Sequence, residues 1–137
     1  MVLTGLGHVA IRCRDLDVSL AFYRLLGLRE AFRLPWPDGT GVRLIMLRVG
    51  SQGGLELFTA GSGTVAQDEH ATGLMHVCLL VDDIHAAYQR VQDAAIPITS
   101  PLRTSRDKTL QFWITDPDGV VIEVMQLLPE SLLNQAE

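Results

Sequence analysis

Apolar and polar positions alternate with a period of two from His8 to Cys13, so that Val9, Ile11 and Cys13 share one side of a strand and His8, Ala10 and Arg12 the other. The period then changes. Asp15 is placed to cap a helix, Leu16, Ser19, Leu20 and Tyr23 recur at helical spacing, and Gly27 is placed to end it. A second strand is predicted over residues 28–34, closed by Pro35-Trp36-Pro37-Asp38-Gly39, where two prolines and a glycine exclude regular structure. Two more strands, 42–49 and 54–59, flank the turn Gly50-Ser51-Gln52-Gly53. The predicted order is β-α-β-β-β.

The same plan then returns. Residues 61–73, rich in Gly, Ser and Thr, read as a connector between a first module at about 5–60 and a second at about 74–128. A shift of 68 residues places His8 on His76, Val9 on Val77, Asp15 on Asp83 and Leu20 on Tyr88, and a shift of 67 places Glu56 on Glu123. The second helical stripe is Ile84, Ala87, Tyr88, Val91 and Ala95. Pro97 and Pro101 bracket a short predicted strand, and Arg103 to Thr109 reads as a charged loop. Strands 110–115 and 120–127 form a hairpin about Asp116-Pro117-Asp118-Gly119, and Pro129 to Glu137 predicts a short surface helix. The fold class is α+β: one domain, residues 1–137, of two tandem βαβββ modules.

Composition narrows the partners. A chain of 137 residues with 47% hydrophobic and 20% charged positions has the make-up of one globular domain and excludes disorder. A net charge of -5 argues against nucleic acid and acidic membranes, which require clustered Lys and Arg, and leaves small molecules as partners. The first strand begins too early to leave room for a signal peptide, and no apolar run approaches the ~20 residues of a membrane-spanning helix, so the expected location is cytoplasmic. Cys13 and Cys78 hold matching places in strands and are expected as reduced, buried, small hydrophobes.

One His and one Glu repeat in each module. In Gly54-Leu55-Glu56-Leu57-Phe58 and Val121-Ile122-Glu123-Val124-Met125 the carboxylate sits where burial is expected, and an unpaired charge there costs several kcal/mol. Either an arginine, Arg12, Arg43 or Arg48, pairs with it or a cation does. Two imidazoles and two carboxylates without a thiolate suit one divalent ion in an octahedral site completed by two waters: nickel, cobalt, manganese, iron or high-coordinate zinc. Trp36 and Trp113 are candidates to wall an apolar substrate pocket, with core packing as the alternative. Arg103, Arg106 and Lys108 make a basic loop suited to an anionic group or to solvent. His70 falls in the connector and His85 on an exposed helix face, and neither is a candidate ligand.

The openings at His8 and His76, the central GLELF and the closing FWITDPDGVVIEV resemble the vicinal oxygen chelate superfamily, from Leu6 to about Leu128. That superfamily includes glyoxalase I, methylmalonyl-CoA epimerase, extradiol dioxygenases, fosfomycin-resistance enzymes and bleomycin-binding proteins. The resemblance implies paired modules whose sheets curve into a cup around a metal held by His8, Glu56, His76 and Glu123. It also implies a homodimer. Extradiol dioxygenases and fosfomycin enzymes typically lack a ligand at the Glu56 position, the epimerase typically has Gln there, and bleomycin-binding proteins lack the set. The glyoxalase I pattern fits in full.

The implied activity is thus a metal-dependent lyase or isomerase that moves a proton through an enediolate, with Glu123, Glu56 or both as base. The alternatives are an epimerase, an extradiol-type dioxygenase or a non-catalytic small-molecule-binding protein. Arg12 matches the arginine that grips a glutathione carboxylate in glyoxalase I, and could equally hold another carboxylate or phosphate or neutralise the glutamates. The enzyme's glutathione-binding asparagine falls at Ala60, which departs from the pattern and counts against glutathione as co-substrate.

Overall fold

A computed structural model describes residues 2–51, 53–63, 70 and 72–136. Gln52 of the predicted turn, residues 64–69 and 71 of the predicted connector, and Glu137 of the predicted tail helix lie outside the described residues. The chain divides into two compact units, residues 1–64 and 65–137.

The first unit runs β1 (His8–Arg12), α1 (Leu16–Leu25), β2 (Arg29–Pro35), β3 (Val42–Val49) and β4 (Gly53–Phe58), and its sheet has the order β1-β4-β3-β2. The second runs β5 (Val77–Leu80), α2 (Ile84–Asp93), β6 (Ile98–Thr104), β7 (Leu110–Thr115), β8 (Val121–Gln126) and a terminal α3 (Leu132–Gln135), with the order β5-β8-β7-β6. In each sheet the first strand is parallel to the last and the other pairs are antiparallel. The fold is therefore α+β, with a tandem βαβββ plan and one four-stranded mixed sheet per module.

Strand alternation divides each sheet into a face covered by its helix and a face carrying polar chemistry. In the first unit Ile11, Cys13, Ile45, Leu47, Leu55 and Leu57 are buried with Leu20 and Tyr23 of α1; in the second, Phe112, Ile114, Ile122 and Val124 are buried with Ile84 and Val91 of α2. The Tyr88 ring of α2 meets Phe112 edge to face at 5.1 Å between centroids, a preferred aromatic geometry. Each helix is started by the aspartate predicted for it. Asp15 Oδ1 accepts from the Asp17 and Val18 amides, and Asp83 Oδ1 from those of His85 and Ala86.

The second module differs from the sequence expectation at β6. The strand continues through Pro101 to Thr104, so Arg103 belongs to a strand and only residues beyond it to the turn. Proline is tolerated because β6 is an edge strand, and its pairing with β7 is irregular between Ser100 and Arg103. Asp107 holds the turn that follows, accepting from the hydroxyls of Ser105 and Thr109. The tail is fastened to this turn. Ser131, fully buried, donates to the Lys108 carbonyl at 2.8 Å and accepts from the Leu128 amide at 2.8 Å, while the Leu132 amide reaches the Asp107 carbonyl at 2.9 Å.

Both helices end in the same hydrogen-bonded turn, with unequal residues. The Leu28 amide donates to the Tyr23 carbonyl and the Ile96 amide to that of Val91, each at 3.1 Å. The residue before each bears a positive φ: Gly27 at 93° and Ala95 at 54°. A Cβ is disfavoured in that left-handed region by roughly 1–2 kcal/mol. Ala95→Gly is accordingly expected to stabilise the protein by about 0.5–1 kcal/mol after the entropy of the unfolded glycine is deducted, seen as a higher urea midpoint with an unchanged slope.

Candidate functional site

The register places each histidine beside its glutamate. In the first unit His8 pairs with Gly54 and Ala10 with Glu56. In the second, Cys78, the counterpart of Ala10, pairs with Glu123. His8 Nε2 lies 3.4 Å from Glu56 Oε2, and His76 Nε2 lies 3.2 Å from Glu123 Oε2. Both carboxylates are largely sheltered, with side-chain exposures of 17% and 12%, while the imidazoles open to solvent.

Among the described residues no arginine or lysine forms an ion pair with either glutamate. Arg12 donates instead to the Thr59 carbonyl at 2.8 Å and lies over the Phe58 ring, 5.6 Å from its centroid. Arg43 stands over the same ring and over Trp36, at 5.7 and 5.8 Å. Trp36 thus belongs to a row of Arg12, Phe58, Arg43 and Trp36, and not to the His8–Glu56 pair. A cleft of about 180 Å³, lined in part by Gly7, Phe32, Met46, Arg48 and Gly54, opens on the same unit.

Trp113 lies within the second pair's surroundings. It is the cross-strand neighbour of Glu123, and its ring meets His76 edge to face with centroids 4.8 Å apart. Gln111, one step along the same face of β7, was not singled out from the sequence. Its amide nitrogen donates to Glu123 Oε1 at 2.8 Å and its oxygen accepts from Trp113 Nε1 at 3.0 Å, the orientation that satisfies both neighbours. Glu123 is thus engaged at both oxygens. The sequence signal was a polar residue between Leu110 and the apolar run Phe112, Trp113 and Ile114.

Of the two cysteines, Cys13 is buried as expected and Cys78 is exposed, against expectation. The reason is its face: Cys78 stands on the polar side of β5 opposite Glu123, whereas Cys13, just past the end of β1, is buried with its thiol donating to the Phe58 carbonyl at 3.1 Å. Crowding of the Cys78 sulfur, then the charge of Glu123 and a hydrogen bond to it, push the thiol up to about 12. Arg103, Arg106 and Lys108 are exposed and His85 is exposed on α2. His70 lies in the second unit, outside any helix or strand.

The donors suit a cation. Two ligands each about 2.1 Å from one ion at roughly a right angle stand about 3 Å apart, close to the spacing in both His–Glu pairs. Neutral imidazole with carboxylate oxygen is the hard-to-borderline donor mix of divalent first-row metals. Among the described residues the donors stand as two pairs, and no three His, Cys, Asp or Glu side chains are gathered as one metal-holding group.

The chain belongs to the Glyoxalase/Bleomycin resistance protein/Dioxygenase superfamily, whose family model matches residues 5–124. It is 29% identical over 134 residues to a lactoylglutathione lyase of Schizosaccharomyces pombe, a match covering 87% of this chain and 44% of that protein. The chain therefore spans less than half the length of that relative. It is 31% identical over 132 residues to the mitochondrial methylmalonyl-CoA epimerase of Bos taurus, covering 90% of this chain and 75% of the other. A glyoxalase family protein from Enterococcus faecalis shares the fold with a TM-score of 0.77 at 24% identity, over 91% of this chain and 99% of that one. No helix of the described residues is long and apolar enough to cross a membrane.

The position of Cys78 carries a measurable consequence. A thiol raised to about 12 is almost wholly protonated at pH 8, and only the thiolate alkylates. In chelator-treated protein Cys78 is expected to react with iodoacetamide on the order of a hundredfold more slowly than an ordinary exposed thiol, despite its exposure. Glu123→Gln, which removes the neighbouring charge, is expected to recover part of that rate, as read by mass spectrometry of the Cys78 peptide.

Proposed function

We propose that the protein is a divalent-metal-dependent lyase or isomerase of glyoxalase I type, acting on a small carbonyl compound. The observation that supports this most is the repetition of a sheltered glutamate beside a histidine in both modules, with no arginine or lysine paired to either one among the described residues. His8, Glu56, His76 and Glu123 are the proposed ligands, brought together within one chain or across a homodimer. When bound, a divalent cation supplies Lewis-acid stabilisation of negative charge developing on two neighbouring substrate oxygens.

The chain's own groups carry the rest. A carboxylate, Glu56 or Glu123, takes the proton from the carbon next to the carbonyl and returns it to the adjacent carbon. Both carboxylates are largely sheltered, with Met46 opposite one and Trp113 opposite the other, which limits the access of water to that proton. Arg12, on the His8 side of β1, is proposed to take an acidic group of the substrate, with Phe58 as its backing. Glutathione as that substrate's carrier is disfavoured by Ala60, which has no side-chain amide to offer.

The match to methylmalonyl-CoA epimerase favours one second reading. Epimerisation next to a thioester carbonyl uses the same proton abstraction, and Glu56 in place of the epimerase's Gln supports the lyase over it. A discriminating experiment measures metal content, then turnover of hemithioacetals and of 2-methyl acyl thioesters by chelated and reconstituted protein. Nickel, cobalt or zinc is expected to restore hemithioacetal turnover, and Glu123→Gln to lower it by roughly 10²–10⁴-fold while metal stays bound. Protein that binds no metal on titration would refute the proposal, and iron(II) with oxygen uptake would move it to the dioxygenases.

A further inference from the structure

Gln111 has no counterpart in the first module. The shift that carries Glu56 to Glu123 carries Leu44 to Gln111 and Met46 to Trp113, so where the first unit offers two apolar side chains the second offers an amide and an indole. The amide is buried, with 7% exposure, and a buried amide is costly unless both ends are bonded. Here both are. A carboxylate can only accept and an indole N–H can only donate, so one orientation of the amide serves them together.

We infer that Gln111 is a positioning residue for the His76–Glu123 pair: it holds Glu123 Oε1 and so turns Oε2 toward His76, and through Trp113 it sets the plane of the His76 ring. The contacts close into a loop of four side chains. Gln111 reaches Glu123 at 2.8 Å and Trp113 at 3.0 Å, Trp113 meets His76 at 4.8 Å between centroids and 74° between planes, and His76 Nε2 returns to Glu123 Oε2 at 3.2 Å. Every member stands on, or one residue before, a strand of a single sheet: β5, β7 and β8. Glu56 has His8 as its one side-chain polar partner among the described residues, with Ala10 and Met46 as its apolar neighbours across the strands. The two half-sites are therefore unequal, one braced and one unbraced. This rests on the reading of His76 and Glu123 as ligands, yet the bracing itself is a property of the protein without metal.

The test is Gln111→Met, which keeps the side chain's length and removes both hydrogen bonds. Two readouts separate the inference from the proposed activity. In metal-free protein labelled with nitrogen-15, the Trp113 indole N–H, assigned by its disappearance in Trp113→Phe, is expected to shift and to exchange with solvent faster in the variant. In calorimetric titration with cobalt(II), affinity is expected to fall about 10–100-fold, as for outer-sphere partners of metal ligands, with a changed visible spectrum. Leu44→Met, the mirror change in the first module, is expected to alter neither. An unchanged indole resonance together with affinity within twofold of the parent, in a variant whose melt shows it folded, overturns the inference. Should Gln111→Met not fold, the Gln111 side-chain amide resonance in Trp113→Phe is read instead: a shift supports the bridge and no shift removes it. Should the parent bind no cobalt, the proposed function fails, and the indole resonance still decides the role of Gln111.

Discussion

In each unit the first strand lies parallel to the last, and a parallel pair holds its residues at a fixed offset that one step of slip would turn to the opposite face. Ala10 opposite Glu56 and Cys78 opposite Glu123 are the same offset made twice. From it follows the rest of the arrangement, since the His two residues upstream is then brought beside the carboxylate. The helix-covered face supplies the rigidity. With Leu47, Leu57, Phe112 and Ile114 fully buried, the strands cannot shift register without exposing their core.

Charge is handled differently on this face from elsewhere on the molecule. On the surface Glu30 is gripped by Arg33 at 2.6 Å, and hydrogen bonding and charge from that guanidinium hold its carboxyl below the usual range. Glu56 and Glu123, more sheltered than Glu30, have no such partner among the described residues, while Arg12 and Arg43 spend their cationic groups on the Phe58 ring. A fold that merely needed to quiet two sheltered carboxylates had arginines within a strand or two of Glu56. It keeps them apart from the acids.

The elements with strong local signals were readable in the chain itself: both helices through their aspartate caps, both sets of strands through alternation, and the His and Glu pairs through their return at nearly one spacing. The features that were not readable share a cause. Gln111 has an apolar counterpart, so repetition could not mark it, and its partners come from another strand and a neighbouring ring. Cys78 looked like Cys13 by position, but an identical place in the alternation was never theirs: one is buried with its thiol on the Phe58 carbonyl and the other stands beside a carboxylate. Pro101 looked like a strand end because a proline breaks a ladder, and only the sheet order shows that β6 lies on an edge where no ladder bond is lost.

That edge and its twin bear on how the chain behaves in a crowd. Strands β2 and β6 are the outer edges farthest from the parallel pairs, and each carries a proline, Pro35 or Pro101, with charged residues alongside and an irregular register. A strand so interrupted cannot accept a long run of hydrogen bonds from a foreign chain. Sheet growth by strand addition, the first step toward fibrils, is blocked on these two sides by the very residues that obscure the strands' ends in the sequence.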